Sequence, residues 1–368
     1  MSEEQPTRRS RRAVESDPET AAENKRSSRK ALTVVLMLVL GLVAIGAGGL
    51  LWVQHNLNSA LERIDDPFAA LPSRPTQATP SPDGTEEPTE PPVTTLVLGS
   101  DSRISAGDPN QWAYGAQRTD AIMIVQVSGD RKDVFVMSIP RDSWVNVPGY
   151  GMAKINAAFS YGGPSLMIQT VEELTGIYID HFAVTDFESF ATITDALGGV
   201  SMYLPNGLNG DGVSMAPGQQ TLTGDQALVY VRQRYNLSGG DFSRVQRQQN
   251  WMRSIMAAVI DQGILKDLGE LTDFVLQTVA KSVAVDEGLT VPQMVELGYS
   301  VRDLRGEDVT FMTAPYAGTG WSPDGRQSIV RLDEAKSQAL FQAFATDTVR
   351  QYLFENPDGA VILGPDPE

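Results

Sequence analysis

The sequence predicts a mixed α/β domain carried on a single transmembrane helix, and three observations predict it. Residues 31–53 run for 23 positions without a charge. Three short runs rich in Val, Ile and Phe follow at 94–99, 121–127 and 134–139. Beyond them, helix-type apolar spacing alternates with short strand-like runs, which a domain of mixed class requires.

Taken in order, residues 1–30 hold eight basic and six acidic side chains with almost nothing apolar, so they read as a disordered cytoplasmic tail. The uncharged run at 31–53 is long enough to cross a hydrocarbon core of about 30 Å, and too long and too late for a signal peptide. Eight Lys and Arg precede it, whereas only Arg63 follows within 54–66, which puts the N-terminus in the cytoplasm and the rest outside. The chain carries −17 overall, so the part beyond the tail carries −19. Such acidity argues against a general nucleic-acid partner.

Residues 54–92 lead away from the span, crowded from 67 with Pro, Thr, Ser and Glu, and read as an extracytoplasmic stalk. A folded domain is expected over 93–355, with 356–368 as a loose tail.

Cysteine is absent, which excludes disulfides, thiolate chemistry and Cys-based zinc sites. The two histidines are His55, beside the span, and His181, within an apolar strand-like run at 178–184. A packed His181 leaves a Ser-His-Asp hydrolase without its base.

The three apolar runs read as a meander, since residues 128–132 are few enough to reverse the chain and 101–119 must return it at the other end. Two reversals bring Asp101 and Arg103, Arg118 and Asp120, and Arg141 and Asp142 to one edge of the sheet. Facing arginines and carboxylates suit a metal and phosphate site; they equally suit a rim of surface ion pairs. Both readings are open at this point. Lys154 and Asn156 follow in a segment that can face the same cleft, before Pro164 opens an amphipathic helix over 165–174. A second helix is expected at 186–197, with Asp186 as N-cap and Gly198-Gly199 as stop, then a strand at 200–204.

Arg232 and Arg234, two apart, are read as sharing a side. After Gly239-Gly240-Asp241, residues 242–260 have helical spacing, with Arg244, Arg247 and Gln248 in the first turns. Basic residues there oppose the helix dipole unless an anion sits at that end. Residues 263–368 hold a helix-like run at 264–279, a strand at 309–314 and a helix at 332–348, completing the same domain.

Gly99-Ser100-Asp101-Ser102-Arg103, Arg118-Thr119-Asp120, Ser138-Ile139-Pro140-Arg141-Asp142, Lys154-Ile155-Asn156-Ala157-Ala158 and Asp241-Phe242-Ser243-Arg244-Val245-Gln246-Arg247-Gln248-Gln249 stand in the order and at the spacing of one family. In these motifs the sequence resembles the LytR-CpsA-Psr family over roughly 94–260. The resemblance implies an α-β-α domain, a mixed central sheet flanked by helices. It implies an enzyme that moves a glycopolymer from a polyprenyl-pyrophosphate donor to a peptidoglycan hydroxyl, forming a phosphodiester and releasing polyprenyl phosphate. By the same resemblance Asp101 and Asp120 hold Mg²⁺, and Arg118, Arg141, Arg232, Arg234, Arg244 and Gln248 hold the pyrophosphate. Arg103 and Lys154 are added to that binding set, Asp120, Arg118 and Arg141 are taken as catalytic, and Asp241 falls in a matching motif without an assigned role.

The residue types agree with that chemistry. Mg²⁺ takes oxygen ligands and is commonly held by one or two carboxylates with substrate phosphates. Guanidinium forks hold phosphate oxygens in pairs. The base for the acceptor hydroxyl stays open between Asp120 and a metal-bound hydroxide, and the polymer between teichoic acid, capsule and arabinogalactan. An apolar channel for the lipid is required, but the sequence does not separate its lining from the core. The loop at 104–117, with Trp112 and Tyr114, shapes acceptor access or simply packs. Two rival functions use the same charges: a membrane-anchored polyprenyl-pyrophosphate phosphatase or pyrophosphatase, and a noncatalytic wall-binding or regulatory protein.

Overall fold

A computed structural model describes residues 61–78, 90–100, 119–233 and 241–367. The span expected at 31–53, the tail before it, and the site residues Asp101, Arg103, Arg118 and Arg234 lie outside those residues. Among the described residues no helix is long and apolar enough to cross a membrane.

The chain opens with strands β1 (Glu62–Ile64), β2 (Val93–Ser100), β3 (Thr119–Val127), β4 (Val134–Ser138), β5 (Trp144–Val147) and β6 (Gly151–Lys154), then helix α1 (Ala157–Thr175). Strand β7 (His181–Asp186) and helix α2 (Phe187–Ala196) follow, then β8 (Val200–Leu204), β9 (Leu208–Gly210), β10 (Val213–Met215) and β11 (Gly218–Leu222). Helices α3 (Gly224–Arg232), α4 (Asp241–Asp261) and α5 (Leu268–Gln277) lead to β12 (Val283–Asp286) and α6 (Val291–Ser300). The chain ends with β13 (Val309–Thr313), β14 (Tyr316–Trp321), β15 (Ser328–Leu332), α7 (Glu334–Ala345), α8 (Val349–Glu355) and β16 (Val361–Ile362).

Eight strands form one mixed sheet in the order β1-β12-β7-β2-β3-β4-β13-β16. Its centre is the expected meander: β2 and β4 both pair antiparallel with β3. Parallel neighbours β7 and β13 extend it on either side. Successive side chains of β3 enter opposite cores, Ala121 and Met123 with α2, α3 and α4 on one face, Ile122 and Ile124 with α1 and α7 on the other. The α-β-α layering follows, since a sheet buried on both faces needs helices on both.

Local signals set several helix ends. Asp186 caps α2 by accepting from Ser189 N at 2.6 Å, and Gly198 and Gly199 take positive φ just after it. Thr223 and Gln226 close a capping box on α3. Gly224 sits so near α2 that a Cβ on it would lie 2.3 Å from Ala191 O. We expect Gly224→Ala to cost about 2 kcal/mol by forcing the two helices apart, seen as a lowered urea midpoint.

Four expectations need correction. The folded domain does not start at Val93: β1 pairs in parallel with β12, and Arg63 Nη1 donates to the carbonyls of Asp286, Glu287 and Leu289. Farther on, Arg74 donates to Glu172 Oε1 at 2.7 Å and stacks on the Tyr178 ring at 3.9 Å, so this part of the expected stalk is docked. The segment 356–368 is no loose tail over its described length: β16 pairs with β13, Leu363 N donates to Phe311 O, and Arg253 holds the carbonyls of Gly364 and Pro365. Helix α1 begins at Ala157 and breaks at Gly162 and Gly163 before Pro164, rather than starting at 165. The run at 264–279 is a short 3-10 turn and then α5, divided where Asp267 caps the new helix.

A titrating group between α7 and α8 packs against the β3–β4 turn. Asp347, at φ 57°, accepts from Gly129 N at 2.9 Å near Asp130 and Asp133. Burial pushes its pKa up; the Gly129 N–H and Arg131 oppose this, while Asp130 and Asp133 add to it. Because the folded pKa exceeds the unfolded value of about 3.9, its contribution is present below that value and lost as pH rises through the folded pKa. Asp347→Asn keeps the acceptor and tolerates the positive φ. We expect it to raise the melting temperature at pH 7, by roughly 0.5 kcal/mol of stability, with the gain shrinking towards pH 4.

Candidate functional site

Strands β2, β7, β4 and β13 all point their C-terminal ends to one edge of the sheet, and β3 starts there. Ligands of open α/β sheets collect at such an edge because loops and helix termini converge on it. Asp120 enters from the start of β3 and Arg141 from the turn after β4, as the two reversals require. Arg141 Nη1 donates to Asp120 Oδ1, and Arg244 Nη2 from the first turn of α4 stands 4.0 Å from the same oxygen. All three are largely withdrawn from water, with side-chain exposures of 8% for Asp120, 21% for Arg141 and 8% for Arg244. A surface rim of ion pairs does not look like this.

Lys154, at the end of the β5–β6 hairpin, pairs with Asp142 at 3.0 Å beside the cluster. The hairpin returns to the site because Ile155 N donates to Ser143 O and Asn156 N to Arg141 O.

Helix α4 is fastened over the edge by Gln249, whose Nε2 donates to Ser138 Oγ at 2.8 Å, Met312 O at 2.7 Å and Thr313 Oγ1 at 3.2 Å. This positioning residue was not singled out by sequence; a glutamine in a polar stretch of helix gives no sign that three acceptors wait at two strand ends. Its neighbour Gln248 is 4% exposed, and no described residue hydrogen-bonds its Oε1 or its Nε2. Leaving a buried amide unmatched costs about 1–3 kcal/mol, so the position calls for a polar ligand.

Gln248 also heads a narrow apolar cavity between the sheet and the helices α2 and α4. Val97, Met123, Phe190, Trp251 and Met252 line its length. Trp251 is held by an Nε1–H bond to Thr194 Oγ1 at 2.8 Å, which keeps the ring as a fixed wall. The sequence does not separate cavity lining from core, and these residues are the ones that border this cavity.

One reading of a basic residue does not carry over. Arg247, grouped with Arg244 by spacing, turns away: it lies over the Tyr230 ring at 4.5 Å and donates to Tyr230 O and Gln233 Oε1. Arg232 ends α3 with an exposed side chain and makes no ion pair with Asp120 among the described residues, while its expected companion Arg234 lies outside them. Asp241 opens α4. His181 is not a closed core residue; its ring is 18% exposed, with Nδ1 3.3 Å from Asp286 Oδ2 on the far sheet edge.

For a metal, the chemistry of the described donors fits a hard cation in part. Asp120 offers a carboxylate whose Oδ2 receives no hydrogen bond from a described residue, and its expected partner Asp101 lies outside them. Among the described residues no cluster of three or more His, Cys, Asp or Glu could hold a metal.

The fold and motifs have counterparts. The model of the LytR_cpsA_psr family matches residues 69–343. The chain is 31% identical over 290 residues to the cell wall biosynthesis protein LcpA of Corynebacterium glutamicum, covering 67% of this chain and 54% of that protein, so it spans about half of that relative's length. It is 28% identical over 252 residues to the polyisoprenyl-teichoic acid–peptidoglycan teichoic acid transferase TagU of Bacillus subtilis, covering 68% and 75%. The crystal structure of Bacillus subtilis TagV superposes with a TM-score of 0.58 at 20% identity, over 72% of this chain and 99% of that one, which supports the fold. On the family match over three quarters of its length, together with the α-β-α fold, this chain is a member of the LytR-CpsA-Psr family.

Proposed function

We propose that this protein transfers a glycopolymer from a polyprenyl-pyrophosphate carrier to a peptidoglycan hydroxyl, in a domain held outside the membrane by the span at 31–53. The observation that carries the reading is Gln248, a buried unmatched amide that borders the apolar cavity and stands one turn along α4 from Arg244, which faces Asp120 beside Arg141. A ligand satisfying both halves has hydrocarbon at one end and a polar, anionic head at the other, which describes a lipid pyrophosphate. The transferase name borne by TagU supports the same class of reaction.

In this reading the prenyl chain lies against Phe190 and Trp251. Arg141 and Arg244 take the phosphate oxygens, with Gln248 donating from Nε2; charge-assisted bonds from planar guanidinium groups suit that task. The acceptor hydroxyl gives its proton to Asp120 as its oxygen attacks the phosphorus next to the sugar, the bond to the polyprenyl phosphate oxygen breaks, and the guanidinium groups hold the charge that develops on the leaving phosphate. Asp120 Oδ2 with Asp101 would hold Mg²⁺, which would neutralise phosphate charge when bound. Arg103, Arg118, Lys154, Arg232 and Arg234 are proposed to complete the anion-binding set.

Product analysis tests the assignment. The full chain in detergent, with Mg²⁺ and a short polyprenyl-pyrophosphate glycan, is expected to form a glycan-phosphate-peptidoglycan adduct when peptidoglycan oligomers are supplied. Free glycan phosphate in equal yield with and without the oligomers would identify a hydrolase instead. Protease added to intact cells would digest the domain from outside; protection of the domain would reverse the orientation.

A further inference from the structure

A second cavity opens between the turn at 140–142, the start of α4 and the β14–β15 hairpin. Its character differs from the first. Phe242, stacked on Tyr316 with ring centroids 4.2 Å apart, and Val245 form one wall; Asp142, Thr319 and Ser328 supply polar groups. Pairing in the hairpin sets Trp321 opposite Ser328 and Thr319 opposite Val330. Paired residues, and alternate residues along a strand, share a face. Trp321, 63% exposed, therefore shares a hairpin face with Thr319 and Ser328, two residues that line the cavity.

Its place relative to the charged cluster is fixed by the chain. Pro140 and Asp142 flank Arg141, and Phe242 and Val245 flank Arg244. On α4, Phe242, Val245, Gln248 and Met252 are spaced three, three and four, so they follow one stripe about 15 Å long. Phe242 and Val245 border the second cavity, Gln248 and Met252 the first. The two cavities thus lie in succession along one helix face, with Arg141 and Arg244 beside the junction.

We infer that the second cavity is the acceptor subsite, binding a pyranose ring of the glycan strand that receives the polymer; this rests on the transferase reading above. Displacement at phosphorus puts the entering and leaving oxygens roughly in line. With polyprenyl phosphate departing towards the apolar cavity, the acceptor oxygen enters from the other side, where the second cavity opens. A sugar ring has a C–H face and a hydroxyl edge; Trp321 suits the face, and Asp142, Thr319 and Ser328 suit the edge.

The test separates acceptor from donor. The full chain in detergent is titrated with a soluble peptidoglycan oligosaccharide in the absence of donor, and separately with the donor alone. Trp321→Ala is expected to weaken oligosaccharide binding at least tenfold, Trp321→Phe to retain most of it, and Thr319→Trp to abolish it, with donor affinity within twofold of wild type throughout. The subsite is overturned by a wild type that binds no oligosaccharide, by variants that bind it equally well, or by Trp321→Ala weakening the donor as much, which would seat the donor's own glycan there. Trp321-dependent binding in a protein that never forms an adduct would keep the subsite and remove the transferase reading.

Discussion

Arg141→Lys is expected to lower turnover in glycopolymer transfer about 100-fold, the usual scale for losing one preorganised donor to a developing oxyanion. Lysine retains the positive charge and can still reach Asp120, so the carboxylate keeps a partner and stability should change by less than about 1 kcal/mol. What it lacks is the planar fork that meets two oxygens at once. Steady-state rates of adduct formation, set beside a thermal melt of the same sample, check both halves. A rate within threefold of wild type would mean that Arg141 serves only to hold Asp120. Arg141→Ala is the poorer variant, because it would leave the carboxylate without that ion pair inside the fold.

The largest effect on stability is expected at Arg74. Its guanidinium donates to both oxygens of Glu172, to Tyr178 Oη at 2.9 Å and to the Ile179 carbonyl, and lies between the Phe68 and Tyr178 rings. Burial works against its charge, yet the hydrogen bonds and charge of Glu172 outweigh that cost and raise its pKa. Glu172 is 2% exposed, so Arg74→Met strands a carboxylate in the core; we expect a loss of about 3 kcal/mol. Arg74→Met combined with Glu172→Leu removes both charges and should recover most of it, since an apolar pair of similar volume is often no worse than a buried ion pair. Urea unfolding of the single and double variants decides this. Equal losses in both would show that the contact stabilises through packing against the rings and not through the charge pair.

The parts of the fold legible in the sequence are those fixed by neighbours in the chain. The meander at 93–138 follows from three β-rich runs and one short turn, and α2 from its own cap and its paired glycines. Strands β1 and β12 were not legible: Glu-Arg-Ile and Val-Ala-Val-Asp are too short to show a period, and they exist as strands because distant partners lie beside them, β12 for β1 and both β1 and β7 for β12. The same holds at the end of the chain, where Arg253 on α4 draws residues 364 and 365 onto the domain. Nothing within 61–78 indicates that Arg74 has a buried glutamate waiting about a hundred residues further on.

The candidate site divides along the same line. Asp120 and Arg141 could be placed together because two chain reversals bring their strand ends to one edge. Arg244 could be added because a cation in the first turn of a helix conflicts with the helix dipole. Arg247 satisfies the same rule, yet it is captured by Tyr230, whose ring belongs to α3 and whose closeness no spacing reveals. The lining of the two cavities was hidden for a related reason. Val97, Met123 and Trp251 are apolar residues at ordinary core positions, and what distinguishes them is the space left between two layers.

The most direct test of the account is the structure of the protein in complex with its polyprenyl-pyrophosphate donor. The account predicts pyrophosphate oxygens within hydrogen-bond reach of Arg141, Arg244 and the Gln248 amide, with the prenyl chain running between the sheet and Phe190, Trp251 and Met252. A donor bound with its lipid elsewhere, and Gln248 still without a partner, would contradict it.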